Sequence, residues 1–162
     1  MCARSKNVCM EDIVAFMVSR ANADVAATLG WLDSEDFKVV QQSGGASETF
    51  GNAQVEFQRN QLGVRVTKDR DQWKLDVAPP GFEFLNLEYV LAAKEGETTN
   101  TSVTSEATVK LPTKEISWQA TLPELITWIE EKDRTEDLEG AKEAWRVHVR
   151  QYWSTFKPSA GQ

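Results

Sequence analysis

The part of this sequence that most resembles an active site, by residue type and spacing, is a run of four charged residues, Lys68-Asp69-Arg70-Asp71. Two carboxylates that flank a guanidinium could act as an acid–base pair or bind a cation. An acid–base pair needs burial that separates two pKa values, however, and a connection between strands is usually hydrated. The alternating charges also neutralise one another. The pattern therefore predicts a charge-balanced hairpin connection, for which contact with a protein partner is favoured over catalysis.

His148 is the only histidine, and Cys2 and Cys9 are the only cysteines. No recognisable nucleophile motif accompanies His148, and zinc enzymes commonly use more than one His or Cys ligand. We interpret His148 as a packed or surface residue and the two cysteines as free thiols. The sequence therefore predicts no catalytic residue, no cofactor and no metal site, so we expect a protein that is not an enzyme.

Acidic residues gather near the C-terminus. Residues 130–143 contain seven acidic and three basic residues, which gives a local net charge of −4. The Asp-x-Asp-x-Asp-Gly order of a calcium loop is absent from this segment. The segment is interpreted as a solvated connection between helices, and an interface is the alternative.

Five of the six tryptophans divide into two groups. Trp73, Trp118 and Trp145 fall on predicted inner faces, whereas Trp128 and Trp153 fall at the edges of helical stripes beside charged residues. An edge tryptophan is either a core-edge residue or an interface hot spot. The residues predicted to bind a partner are the acids Glu124, Glu130, Glu131 and Asp133, the tryptophans Trp128 and Trp153, and the turn residues Asp69, Arg70 and Asp71.

The elements that must position these residues follow from hydrophobic periodicity. One helix is predicted over residues 10–30, with Gly30 at its end and Ile13 and Phe16 off its apolar stripe. The stripe consists of Val14, Met17, Val18, Ala21, Val25, Leu29 and Leu32. Residues 37–41 read as a first strand. Three segments with period-two alternation follow, the last of them containing Trp73, and Pro79-Pro80-Gly81 must end it. Arg65, Lys74 and Asp76 should face water on the outer side of this meander.

Helices dominate the rest of the predicted chain. Asn86 is suited to cap a short helix over residues 87–94, with Gly96 after its end. Trp118 to Ile129 form a helix with Pro123 in its first turn, and Leu138 to Phe156 form a longer one. The predicted fold class is α+β, an antiparallel β-meander sheet packed against an N-terminal helix and two C-terminal helices.

The 162 residues fit a single domain, 1–162, which is the expected organisation. Within it we expect a mobile N-terminus at 1–9, an exposed Ser/Thr-rich loop at 97–108, for which a poorly patterned edge strand is the alternative, and a mobile tail at 158–162. The net charge of −7 disfavours a nucleic-acid partner. Acids at positions 11 and 12 interrupt any signal peptide, and no run of about 18 apolar residues occurs, so we expect a cytoplasmic protein without membrane attachment.

Residues 63–91, GVRVTKDRDQWKLDVAPPGFEFLNLEYVL, resemble a segment of the small bacterial immunity proteins that neutralise polymorphic or contact-delivered toxins. The shared features are a valine-rich strand, a charged turn with Asp-Arg, a strand beginning at tryptophan and a short helix, in this order. The matching residues are Val64, Val66, Asp69, Arg70, Trp73, Leu75, Val77, Leu87, Val90 and Leu91. The resemblance implies a binding function without catalytic residues.

The resulting expectation is an immunity protein that occludes the active site of a cognate toxin or effector protein. An acidic surface with aromatic anchors would cover the cleft of the toxin, particularly a basic cleft that holds nucleic acid or a nucleotide. Three alternatives stay open. They are a small-ligand-binding α+β domain with a pocket lined by Trp73, Trp118 and Trp145, a chaperone or adaptor that holds an effector without inhibiting it, and a hydrolase.

Overall fold

The computed structural model describes residues 10–45, 51–96, 98–100, 107–109 and 115–154. The chain forms two compact units. Unit 1 comprises Met1–Phe84 and Ile116–Glu124, and unit 2 comprises Leu85–Glu115 and Leu125–Gln162. The predictions for residues 1–9 and 158–162 lie outside the described residues.

The N-terminal segment forms two helices, α1 (Met10–Arg20) and α2 (Ala23–Ser34), so the prediction of one helix over 10–30 is wrong. Asn22 causes the break, because its backbone is extended and its side-chain oxygen accepts a hydrogen bond from the Val25 N–H at 2.9 Å. A side chain that satisfies a free N–H in this way starts a new helix. Gly30, predicted at the helix end, therefore lies inside α2.

The break also changes which residues of α1 are buried. Ile13, which lay off the predicted apolar stripe, is buried, and its Cδ1 lies 2.9 Å from the position that a Cβ would take at Gly45. Val18, which lay on that stripe, is 41% exposed. The predicted stripe assumes one continuous helix, and the positions on its two sides no longer align once a second helix begins at Ala23. Helix α1 packs against the first two strands of the sheet.

The sheet of unit 1 is an antiparallel meander of β1 (Lys38–Gly44), β2 (Ala53–Arg59), β3 (Leu62–Asp69) and β4 (Gln72–Ala78). The β2–β3 and β3–β4 connections each have two residues, because Arg59 pairs with Leu62 and Asp69 pairs with Gln72. Strand β4 ends directly before Pro79, as predicted from the missing backbone donor of proline. The predicted meander is therefore confirmed.

The two faces of this meander differ from the simple expectation of one packed face and one wet face. The inner face is apolar and buried at positions such as Val55, Val64 and Leu75. On the outer face, Arg65 donates to the Asp76 carboxylate at 2.9 and 3.1 Å and lies over the Phe84 ring at 4.4 Å. Asp76 is only 9% exposed, so the prediction that it faces water is wrong. Phe84 covers this part of the sheet, which no strand periodicity could show.

Helix α4 (Trp118–Glu131) begins where Asp24 of α2 holds its first turn. The Asp24 carboxylate accepts hydrogen bonds from the Trp118 N–H at 2.8 Å, the Gln119 N–H at 3.0 Å and the Ser117 hydroxyl at 2.8 Å. These donors fix the helix start at Trp118. Pro123 is therefore the sixth helical residue, in the second turn, and the prediction that it lies in the first turn is wrong.

Unit 2 contains the remaining elements, β5 (Leu85–Asn86), α3 (Leu87–Lys94), β6 (Thr98–Asn100), β7 (Ala107–Val109) and α5 (Thr135–Ser154). Asn86 caps α3 as predicted, since its side chain accepts from the Glu88 N–H at 3.0 Å. Strands β6 and β7 pair antiparallel and contact α5. Strand structure, the alternative considered for residues 97–108, is thus present at five of these positions, 98–100 and 107–108, whereas positions 97 and 101–106 lie outside the described residues.

The sheet order is β1-β2-β3-β4-β5, and a two-stranded sheet is formed by β6 and β7. An antiparallel five-stranded sheet with helices before and after it in the chain is an α+β fold, which confirms the predicted class. The described helices include none that is both long and apolar enough to cross a membrane.

Candidate functional site

The charged segment Lys68-Asp69-Arg70-Asp71 spans the end of β3 and the two-residue turn into β4. Arg70 occupies the first turn position with φ of +57°. Only two other non-glycine residues in the described part of the chain have positive φ, and these are Asp36 and Asn60. Short Asn and Asp side chains tolerate this left-handed region, whereas a long side chain such as that of Arg is disfavoured there by about 1 kcal/mol. The turn is therefore strained at Arg70.

Lys68 does not belong to the exposed charge cluster, and this part of the prediction is wrong. Its alternation places it on the inner face of β3, opposite Ala53 and Trp73, and it is 8% exposed. The ammonium group donates to the Arg70 carbonyl oxygen at 2.6 Å and to the Gly51 carbonyl oxygen at 3.1 Å. A buried ammonium group needs such acceptors. Lys68 thereby ties the β3–β4 turn to the start of β2.

Asn52 holds the same turn from the other side. Its side-chain oxygen accepts a hydrogen bond from the Arg70 N–H at 2.7 Å, and its backbone oxygen accepts one from the Gly45 N–H at 2.8 Å. A Cβ at Gly44 would lie 2.1 Å from the Asn52 oxygen, so the approach of these two segments requires glycine at position 44. The Arg70 N–H is thus held by Asn52, 18 residues earlier in the chain, and the Arg70 carbonyl oxygen by Lys68, two residues earlier.

The side chains of Asp69, Arg70, Asp71 and Gln72 are all exposed and line an open depression of about 380 Å³. A second depression of about 440 Å³ adjoins it and also contains Asp69, together with the polar side chains of Ser43, Gln54 and Thr67. Neither the Asp69 nor the Asp71 carboxylate has a hydrogen bond or ion pair with any other described residue. The predicted exposure of this turn is confirmed for its last three residues.

The second predicted set surrounds the connection between α4 and α5, which we call the α4–α5 corner (Trp128 to Asp137). Its centre is Arg134, whose side chain is only 10% exposed. The Arg134 guanidinium lies over the Trp128 ring at 4.3 Å and donates to the Trp128 carbonyl oxygen at 2.8 Å. It also pairs with Glu131 at 3.2 Å and with Asp137 at 3.9 Å. Half-buried Trp128 is therefore covered on one face by a residue of its own chain.

The acids of this corner are exposed, but Glu131 and Asp133, both predicted to bind a partner, have partners within the chain. Glu131 pairs with Arg134, and Asp133 accepts from the Thr135 hydroxyl at 2.5 Å and the Thr135 N–H at 2.9 Å. The side-chain hydrogen bond from Thr135, followed by the backbone one, lowers the pKa of Asp133 below its usual value. Glu124 and Glu130 are exposed on α4. The corner is therefore a negatively charged surface held by internal contacts.

The other aromatic candidates lie in different surroundings. Trp145 is half-buried on α5, stacks on exposed His148 with ring centroids 5.8 Å apart, and meets Tyr89 of α3 edge-on at 5.4 Å. Burial raises the pKa of Tyr89, and the charge of Glu88 raises it further. Trp73 and Trp118 are half-buried in unit 1. The side chain of Trp153 lies outside the described residues.

The predicted partner-binding residues thus divide between the two units. Asp69, Arg70 and Asp71 belong to unit 1, as does Glu124, whereas Trp128, Glu130, Glu131 and Asp133 belong to unit 2. Among the described residues, no group of three or more His, Cys, Asp and Glu side chains is placed to hold a metal ion. Sequence reasoning missed Asn52 and Lys68, although the parity of Lys68 with Leu62, Val64 and Val66 on β3 was a usable signal.

Comparisons with protein-family models, with curated proteins and with solved structures found no match to this chain. The resemblance of residues 63–91 to immunity proteins therefore stays a prediction.

Proposed function

We propose that this protein is an immunity protein that binds a cognate bacterial toxin and blocks its active site. The observation that carries the proposal is the acidic α4–α5 corner, in which exposed carboxylates surround an arginine, Arg134, whose side chain is only 10% exposed and which fixes the connection. A preformed acidic surface on a chain of net charge −7 suits a basic partner. Rigid presentation lowers the entropic cost of association.

The mechanism is occlusion without chemistry. The acidic surface lies over a basic cleft in the toxin, one that binds a nucleic acid or a nucleotide, and excludes its substrate. Opposite charges accelerate the encounter, and partly desolvated side chains at the contact slow dissociation. The resemblance of residues 63–91 to immunity proteins supports the same proposal.

The test begins with purification of the tagged full chain from its native host, which identifies the bound partner. The partner is then expressed in a test bacterium with and without the chain. We expect the partner to stop growth alone and growth to be restored when the chain is present. Persistence of toxicity while the two proteins remain bound would instead identify a chaperone. A chain that purifies alone and binds a metabolite saturably would identify a ligand-binding domain.

A further inference from the structure

Strand β1 (Lys38–Gly44) is an edge strand, because the strand order of the sheet is β1-β2-β3-β4-β5. One side of its backbone pairs with β2. The other side has no hydrogen bond to any residue that the structure describes. An open edge of this kind presents N–H and C=O groups that can pair with another strand, and proteins usually protect it with charged side chains, proline or a bulge.

The protection of the β1 edge is incomplete. The strand contains no proline, and the ammonium group of Lys38, its one charged residue, is paired with Asp36 of the same chain at 3.1 Å. A bulge is present, since the pairing with β2 shifts between Val39 and Gln41 and leaves Val40 without a β2 partner. Bulges re-aim side chains, and Val40 is 54% exposed. This bulge therefore presents an apolar side chain at the edge.

A second exposed apolar residue lies on the neighbouring helix. Val18 of α1 is 41% exposed, and among the residues that the structure describes only Val18 and Val40 are exposed large hydrophobic residues. Helix α1 packs against β1, and both belong to unit 1. The open edge and these apolar side chains thus occur on two elements that touch. A strand edge with exposed apolar residues is a site where another chain can pair.

Charge distinguishes between possible occupants of the edge. Residues 37–45 contain one basic and no acidic residue, and the same is true of residues 13–21 in and after α1. Two copies of a chain that carries −7 repel each other across acidic surfaces, but not across these two segments. A basic protein would instead be attracted to the acidic α4–α5 corner. An antiparallel strand edge is also self-complementary, as a twofold contact requires, because it presents both donors and acceptors.

We propose that two copies of this chain pair through β1 in antiparallel orientation and join their sheets into one continuous sheet. The twofold axis passes near Val40, so the two Val40 side chains meet. In this register the two Lys38 positions lie about 13 Å apart, given a rise of about 3.3 Å per residue. This separation exceeds the Debye length of about 8 Å at physiological ionic strength, so their repulsion is weak. The pairing is independent of the proposed function.

Analytical ultracentrifugation of the full chain tests the pairing. A standard interface uses about 20–30 residues a side, and one strand supplies far fewer, so we expect a weak dimer. The mass should rise from that of one chain at about 1 μM toward twice that value at about 1 mM.

Two matched variants locate the contact. Val40→Lys and Gln61→Lys each change the net charge from −7 to −6, and Gln61 is exposed in the β2–β3 turn, away from the edge strand. A lysine on an open edge opposes strand pairing, so Val40→Lys should weaken dimerisation by about tenfold or more. Gln61→Lys should leave the dimer dissociation constant within about twofold of the unmodified value. Circular dichroism of both variants establishes that the fold is intact.

Disulfide formation tests the register. With the substitutions Cys2→Ser and Cys9→Ser, an introduced cysteine is the only thiol in the chain. A disulfide requires Cβ atoms about 3.5–4.5 Å apart, which two facing Val40 positions provide. Under mild oxidation, Val40→Cys should therefore form a linked dimer about tenfold faster than Gln61→Cys.

Several outcomes would overturn the pairing. They are the mass of a single chain at every concentration, equal effects of the two lysine variants on dimerisation, and equal oxidation rates of the two cysteine variants. If the chain stays monomeric and Val40→Lys abolishes capture of another protein, the edge belongs to a strand of that protein and not to a second copy. All of these measurements leave the proposed function standing, because that proposal is decided by the toxicity of the captured partner.

Discussion

At the scale of single residues, one lysine determines how the charged turn must be understood. Four charges in a row predict an exposed cluster, but the alternation of β3 puts Lys68 among the apolar residues of the inner face. Its ammonium group replaces water with two backbone carbonyl oxygens. The remaining segment, Asp69 to Asp71, is exposed, and its backbone is fixed by hydrogen bonds from Arg70 to Asn52 and from Lys68 to Arg70. A charge run on a strand should therefore be divided by side-chain parity before a surface is inferred from it.

Arg70 allows a direct test of backbone strain. Because glycine adopts positive φ without a Cβ penalty, Arg70→Gly should raise the free energy of unfolding by about 0.5–1 kcal/mol. Asn60→Gly in the β2–β3 turn is the matched control, since Asn60 has φ of +53° and asparagine tolerates this region. Its effect should be only a few tenths of a kcal/mol. Urea denaturation measures both, and a less stable Arg70→Gly variant would contradict the strain argument.

At the scale of elements, one carboxylate determines where a helix begins. Asp24 lies in the first turn of α2 and also accepts the first free N–H groups of α4, two segments more than 90 residues apart in sequence. The free N–H groups at the start of a helix carry a partial positive charge. A carboxylate that lies at the starts of both α2 and α4 is therefore stabilised by each helix. This contact explains why α4 starts at Trp118 and why Pro123 falls in its second turn.

Asp24 gives the fold a predictable pH dependence. Desolvation raises the pKa of Asp24, but the hydrogen bonds from Gln119, Trp118 and Ser117 outweigh it, so the pKa lies below its usual value. A carboxylate with a lowered folded-state pKa contributes stability above its unfolded pKa of about 3.9, and this contribution is lost as pH falls through the folded value. Asp24→Asn should therefore cost about 1 kcal/mol at pH 7, because the amide lacks the negative charge at the helix start and has one acceptor oxygen where the carboxylate uses two.

The difference in unfolding free energy between the unmodified chain and Asp24→Asn should shrink as the pH falls below about 4, because the unfolded chain then binds a proton at Asp24 that the folded chain takes up only at lower pH. Denaturant unfolding at several pH values measures this difference. Asp33→Asn is the matched control, since Asp33 is exposed in the last turn of α2. A difference for Asp24→Asn that stays constant from pH 7 to pH 3 would contradict the role of the charge.

At the scale of the whole molecule, net charge acts separately from any local contact. A chain of net charge −7 attracts a basic protein over roughly a Debye length, about 8 Å at physiological ionic strength. This attraction changes association more than dissociation. The acidic α4–α5 corner contributes to the field whether or not it touches the partner.

Reversal of Glu124, Glu130 and Glu131 to Lys should therefore slow association with a basic partner protein. Each reversal changes the charge by two, so the net charge becomes −1. At low ionic strength the association rate should fall on the order of tenfold, and its dependence on salt should flatten. Stopped-flow kinetics at several salt concentrations measure the association and dissociation rates. An unchanged dissociation rate would show that the corner acts through its long-range field alone, a faster dissociation would place the contact at the corner, and an unchanged association rate would contradict the role of net charge.

The sequence by itself determined the fold class, the meander and its turns, the cap at Asn86 and the end of β4 at Pro79, because these depend on local periodicity and on backbone chemistry within a few residues. It also predicted the exposure of Asp69, Arg70 and Asp71. It could not show that Asp24 starts α4, that Phe84 covers the outer sheet face, that Asn52 holds the turn, or that Lys68 ties the turn to Gly51. Those contacts join residues that only folding brings together, so the tertiary structure alone decided which charged residues support the fold and which remain available to a partner.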